Sequence, residues 1–173
     1  MIIKELDEKI KEYYLKGLED ENFVMEAVEK TFGGICEKAT KKEDMYDHVD
    51  FWWDSPKKGK IGIDVKGIKK NRQKDKNFND NIHWIEMLNV KGKPGWIYGK
   101  SEYIAFRTFT DIIFVKNEKL IEYAERVTEG KEMLYGIRPN DFYIPYRRYE
   151  RQDKVFKCPT SDLRELSDFI IKL

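Results

Sequence analysis

Two short runs of alternating apolar and polar residues, joined by a turn, constrain this chain more than any other feature. Val49, Phe51 and Trp53 alternate with His48, Asp50 and Trp52, and Ile61, Ile63 and Val65 alternate with Gly62, Asp64 and Lys66. A period of two marks a strand on a sheet, because successive side chains point to opposite faces. The segment between the runs, Ser55-Pro56-Lys57-Lys58-Gly59-Lys60, has turn composition. The pair predicts an antiparallel hairpin. In it Ile63 and Val65 face the core, Asp64 and Lys66 share the other face, and Asp50 converges on Asp64 at one end.

The flanking segments read as a mixed α/β domain. Leu6, Ile10, Tyr14 and Leu18 recur every four residues and predict a helix, with Gly17 and Asp20-Glu21-Asn22 breaking it in two. The second helix buries Phe23, Val24, Ala27, Val28 and Phe32 and stops at Gly33-Gly34. Residues 69–81 read as a polar loop, and Ile82 to Val90 as a third strand. Residues 96–110 fit helix and strand equally. Asp111 to Val115 reads as a buried strand, Asn117 to Val127 as an amphipathic helix, and residues 131–154 as irregular. Val155 to Cys158 reads as a short strand, and a final helix follows Pro159 with Asp162 and Glu165 at capping-box spacing. A length of 173 residues suits one domain.

Composition excludes several classes. With 33 Lys+Arg against 32 Asp+Glu, the chain is neither histone-like nor an acidic disordered tail. No apolar run has the length of a membrane span, and the acidic start is unlike a signal peptide. Cys36 and Cys158 belong to no CxxC, which argues against a zinc ribbon and predicts a reducing, cytoplasmic setting.

The chemistry concentrates on Asp50, Asp64 and Lys66. Two converging carboxylates repel each other unless a cation sits between them, and hard oxygen donors suit Mg²⁺ or Mn²⁺. The Val65 carbonyl, between the two side chains of the second run, is a further candidate ligand. A divalent ion there fits phosphodiester hydrolysis, with Lys66 orienting a water or stabilising the transition state.

Asp50 followed by Asp64-Val65-Lys66 resembles the PD-(D/E)xK motif of the restriction-endonuclease-like nuclease superfamily. The order helix, strand with Asp, strand with DxK, strand, helix, strand is similar to its αβββαβ core, a mixed central sheet flanked by helices. The resemblance covers about residues 20–128 of a single nuclease domain, with 131–173 as elaboration. Val49 stands where the motif has Pro, and Asp64 where Glu is more usual. The layout is nearest the archaeal Holliday-junction resolvase branch. That branch implies an acid in the first core helix, where Glu26 stands and Glu29 lies on nearly the same side. It also implies branched DNA as substrate and a homodimer. The neighbourhood of the third core strand makes Glu86 a candidate ligand or supporting residue, against a charged residue on a sheet edge.

Other residues carry weaker signals. His48 shares a face with Asp50, about 7 Å away by strand rise, as a candidate base or a packed histidine. Residues 57–76 hold nine Lys/Arg against two acids. Lys57, Lys58, Lys60, Lys69, Lys70, Arg72 and Lys74 are therefore candidate DNA contacts, or a solvated lysine-rich loop. Arg147, Arg148 and Arg151 interleave with Tyr143, Tyr146 and Tyr149, a pattern suited to phosphate and base contact or to packing against local acids. The sequence thus points to a metal-dependent DNA endonuclease. The alternatives are a restriction or repair enzyme of the same fold, and a noncatalytic nucleic-acid-binding module.

Overall fold

The structure, a computed structural model, describes the backbone of residues 2–70 and 76–173, and the side chains of these apart from residues 2–11 and 14. Arg72 and Lys74 lie outside the described residues, as do the side chains of Leu6, Ile10 and Tyr14.

The chain opens with α1 (Ile2–Phe32). This is one continuous helix, not the two that Gly17 and Asp20-Glu21-Asn22 predict. A glycine and acids in a helix cost propensity, about 1 kcal/mol for glycine. Burying Val24 and Val28 against the sheet and pairing Asp20 with Arg107 outweigh that cost. Gly33 and Gly34 then end the helix, both with positive φ. A Cβ on Gly34 would sit 2.2 Å from the Asp54 carbonyl oxygen, so the turn into the sheet admits no larger residue.

Three antiparallel strands follow: β1 (Ile35–Lys38), β2 (Phe51–Ser55) and β3 (Gly59–Lys66). The predicted hairpin is present, with Phe51 opposite Ile63 and Ser55 opposite Gly59. Its first strand begins later than the alternation implies. Glu43–Asp47 forms a π-helical turn, and the chain straightens only after His48.

β4 (Ile82–Leu88) is a strand, but it leaves the central sheet and joins a second one. The neighbour of β3 is instead β5 (Tyr103–Arg107), in parallel. A short 3-10 turn, Trp96–Tyr98, leads into β5. The connection from β3 to β5 therefore holds a loop, a strand and a turn, and the strand that follows the DxK strand in sequence is not its neighbour in the sheet. β6 (Asp111–Lys116) and α2 (Asn117–Thr128) follow as read from the sequence.

Beyond α2 lie β7 (Leu134–Tyr135), β8 (Tyr146–Arg147), β9 (Lys154–Pro159), α3 (Thr160–Leu166) and β10 (Phe169–Lys172). The central sheet has the order β1-β2-β3-β5-β6-β10, and the second sheet β4-β9-β8-β7. The C-terminal segment is thus part of the framework: β10 closes one edge of the central sheet and β9 pairs with β4. The capping box predicted for the last helix is absent. Asp162 instead accepts hydrogen bonds from Tyr123 and Tyr143 at 2.7 and 2.8 Å.

The core has two layers. Val24 and Val28 of α1 pack on Phe51, Ile63, Val65, Ala105 and Phe114 on one face of the central sheet. On the other face Ile104, Phe106 and Val115 meet α2, α3 and the second sheet through Leu120, Leu163, Ile85 and Phe156. The architecture is mixed α/β, a mixed central sheet with flanking helices. Among the described residues no helix is long and apolar enough to cross a membrane.

Candidate functional site

Because Phe51 faces Ile63, extending the register by one residue sets Asp50 opposite Asp64. The Asp50 N–H donates to the Ile63 carbonyl at 2.9 Å, which keeps the chain aligned just beyond the formal end of β2. Asp64 and Lys66, two apart on β3, fall on the sheet face opposite the α1 layer. The hairpin geometry read from the sequence is therefore present, and Asp50, Asp64, Val65 and Lys66 line one cleft of about 510 Å³.

The face they occupy is not the open polar surface that alternation implies. The turn carrying Trp96 packs against it, and Asp64 is only 2% exposed. One oxygen of Asp64, Oδ1, accepts from the Lys66 ammonium at 2.8 Å. The other, Oδ2, is buried with no hydrogen-bond partner. Asp50 Oδ2 accepts the Val65 N–H at 2.6 Å. Burial pushes the Asp64 carboxyl up to about 8, and Asp50 adds to the rise while Lys66 opposes it. Burial also works against the Lys66 charge, but Asp64 and Asp50 outweigh it and hold the ammonium above its ordinary pKa. The Lys66 ammonium lies 4.6 Å from the centre of the Trp96 ring, a second stabilising contact for the cation.

Two further acids that sequence reasoning passed over reach the cleft. Glu21 comes from α1, where Glu26 was expected. Glu26 is exposed and does not line the cleft, because the buried stripe of the helix runs through Asp20, Val24 and Val28. Glu29 instead accepts the Cys36 N–H at 2.6 Å. Asp44 comes from the π-helical turn. The signal for that turn is in the sequence: Thr40 and Glu43 have capping-box spacing, and they exchange hydrogen bonds of 2.7 and 3.3 Å. Burial raises the pKa of both Glu21 and Asp44, and Asp50 raises each further. His48, at the turn's left-handed end, also lines the cleft. Burial and Lys66 hold it below the usual histidine value.

Asp20 completes the floor. It pairs with Lys16 at 3.1 Å and with Arg107 at the end of β5. Gly67, directly after Lys66, leaves room for it, since a Cβ there would lie 2.0 Å from Asp20 Oδ2.

Glu86 does not line the cleft. It stands half-buried on β4 in the second sheet, close enough to support the Lys66 charge. Burial raises its own pKa against the pull of Arg148.

The basic candidates separate into two groups. Lys66, Lys69, Lys70 and Arg148 line the cleft, together with Lys16 and Arg138, which sequence reasoning missed. Arg148 is also ion-paired with the buried Asp153. Lys57, Lys58 and Lys60 lie at the opposite end of the hairpin, about 20 Å or more from Lys66 by strand rise. There Lys58 and Lys60 sit over the rings of Tyr103 and Trp52 at 5.9 and 4.9 Å. The basic run is continuous in sequence but not in space. Arg147 lies on β8 with its Nε buried and unpartnered, and Arg151 is exposed; neither lines the cleft. His83 is buried against Phe106, and burial pushes its imidazole down to about 4.

Among the described residues no group of three or more His, Cys, Asp or Glu is gathered as a ready-made metal cage. The donor set still suits a hard divalent ion. Mg²⁺ is held by one or two carboxylates and keeps several waters. Asp50 faces Asp64, whose second oxygen is buried and unsatisfied, and the Asp50 charge raises the cost of ionising Asp64. A cation between them removes that cost.

No family model, no curated protein and no solved structure matches this chain.

Proposed function

We propose that this protein is a metal-dependent DNA endonuclease of the PD-(D/E)xK type. The observation that carries the reading is the arrangement of Asp50, Asp64 and Lys66. They lie on paired strands in one cleft, with a buried Asp64 oxygen left without a partner. The succession α1, β1, β2, β3 with β5 parallel to β3 supports the restriction-endonuclease-like core. It departs from that core by the extra strand ahead of Asp50 and by β4, which follows the DxK strand in sequence but joins the second sheet.

Asp50 and Asp64 would hold Mg²⁺ or Mn²⁺. Bound there, the ion would supply charge to the scissile phosphate and make a coordinated water more acidic. Lys66 is kept protonated by Asp64, so it acts as a cation and not as a base. It donates to a phosphoryl oxygen or orients the water, and stabilises the negative charge that develops during attack. Trp96 excludes bulk water from one side of that ammonium, which strengthens its field. The cations lining the cleft, Lys16, Lys69, Lys70 and Arg138, bring the DNA backbone to the carboxylates. Branched DNA as substrate and a homodimeric state follow from the resolvase resemblance and belong to the proposal.

The test is a plasmid-nicking assay with Mg²⁺, Mn²⁺ or EDTA. Wild type should nick with either ion and stop in EDTA. Asp64→Asn and Lys66→Ala should each lower the rate by at least about 100-fold, as removal of a charge-stabilising group does. Equal nicking by wild type and Asp64→Asn rejects the reading. DNA binding without cleavage under every condition favours a noncatalytic binding module.

A further inference from the structure

A second groove, of about 730 Å³, runs on directly from the cleft. The two share Lys16, Ile68 and Phe78. The groove differs from the cleft in character. Its floor is apolar, with Phe23, Ile68, Phe78 and Phe109, and two acids on α1, Glu12 and Glu19, stand at its edge. Phe109 is 60% exposed, although the Asp80 carboxylate anchors its backbone N–H at 2.8 Å. It therefore presents a ring held by a fixed loop and left uncovered. Phe78, 39% exposed, stands at the junction of groove and cleft. The ammonium groups of Lys16 and Lys70 lie 4.9 and 5.4 Å from its ring centre.

Exposed aromatic rings beside ammonium groups are the elements of a single-strand track, where bases stack on rings and phosphates go to the cations. The two acids at the edge oppose phosphate and tolerate a neutral base, so they favour bases on the floor with the backbone toward Lys16 and Lys70. Bases within a continuous duplex are stacked on each other and present no free face to such a floor.

We infer that this groove takes unpaired nucleotides of the strand whose phosphodiester enters the cleft, with bases on Phe109 and Phe78. The substrate is then DNA that is single-stranded or frayed beside the cut, not uninterrupted duplex. The inference rests on the nuclease reading for the role of the cleft. The groove's affinity for a strand can be read without cleavage.

The experiment measures fluorescence anisotropy with a labelled oligothymidylate, a forked duplex with unpaired arms, and a blunt duplex of equal length, all in EDTA. The same DNAs are then followed for cleavage with Mg²⁺. Wild type should bind the single strand and the fork more tightly than the blunt duplex. Phe109→Ala should weaken single-strand and fork binding by about 5- to 150-fold, the range for losing one stacked base. It should leave duplex binding unchanged. Phe109→Trp should restore binding. Because Phe109 is exposed, the variant should keep the wild-type circular dichroism and unfolding midpoint. Asp64→Asn separates the two ideas: lost cleavage with retained single-strand preference supports both. Retained cleavage with that preference rejects only the nuclease reading. Equal binding of all three DNAs by wild type, or unchanged single-strand binding by Phe109→Ala, overturns the groove assignment. So does a change of oligomeric state in Phe109→Ala by sedimentation, which would make a second copy of the chain the occupant.

Discussion

At Asp64 the cost of burial and the use of the site meet. A carboxyl at 2% exposure with one unpartnered oxygen stays protonated up to about pH 8 when no metal ion lies beside it, even with the Lys66 ammonium in contact. Unfolded, it would ionise near the ordinary carboxylate value of about 4. The metal-free native state therefore binds more protons than the unfolded state between about pH 4 and pH 8. Stability attributable to this group is fully present at the acidic end of that window and falls as pH rises through it. Asp64→Asn, which cannot ionise, should remove that slope. In urea unfolding with EDTA the variant should gain on wild type steadily from about pH 5 to pH 8 and level off above that. A constant difference across that range would show that Asp64 is already ionised. The residues themselves were legible in the sequence, because a period of two places Asp64 and Lys66 on one face whatever the rest of the chain does. Their burial was not, because Trp96, which packs against Lys66, and β5, which flanks β3, come from residues 96–107, where the sequence shows no clear period.

The elements that surround the site were harder to read. β5 is buried on both faces, so Tyr103, Ile104, Ala105 and Phe106 show neither alternation nor a helical stripe. The edge strand β1 has only four residues, too few for a period. The acid in α1 was placed at Glu26 by resemblance, whereas the face that meets the sheet carries Asp20 and Glu21. The junction of α1 with β3 depends on the missing side chain at Gly67. Gly67→Ala would set a methyl 2.0 Å from Asp20 Oδ2 and 3.4 Å from its Cβ, displacing the partner of Arg107. It should cost about 1–3 kcal/mol by urea unfolding, as overpacking does. It should also slow nicking, since Lys66 is the adjacent residue. A fully stable and active variant would show that Asp20 swings away freely.

For the molecule as a whole, charge that is contiguous in sequence is divided by the fold. Lys57, Lys58 and Lys60 and the pair Lys69 and Lys70 stand at opposite ends of an eight-residue strand. Replacing the first three with Ala should leave nicking and its salt dependence within about twofold, since distant exposed charges are screened beyond about 10 Å at 0.1 M salt. Replacing Lys69 and Lys70 with Ala should weaken DNA binding and flatten the salt slope by roughly two phosphate contacts. Equal effects from both sets would mean that DNA runs the full length of the hairpin. Residues 131–173, which the sequence presents as an elaboration of the core, close the central sheet through β10 and build the second sheet through β9. By itself the sequence determined the hairpin, the helix stop at Gly33-Gly34, and the common face of Asp64 and Lys66, because each follows from local steric repeats along the backbone. Only the tertiary structure decided that this face is buried, that Glu21 and Asp44 join it, and that the basic run is split. Those facts depend on which distant segments pack together, and packing is set by shape and burial across the whole chain.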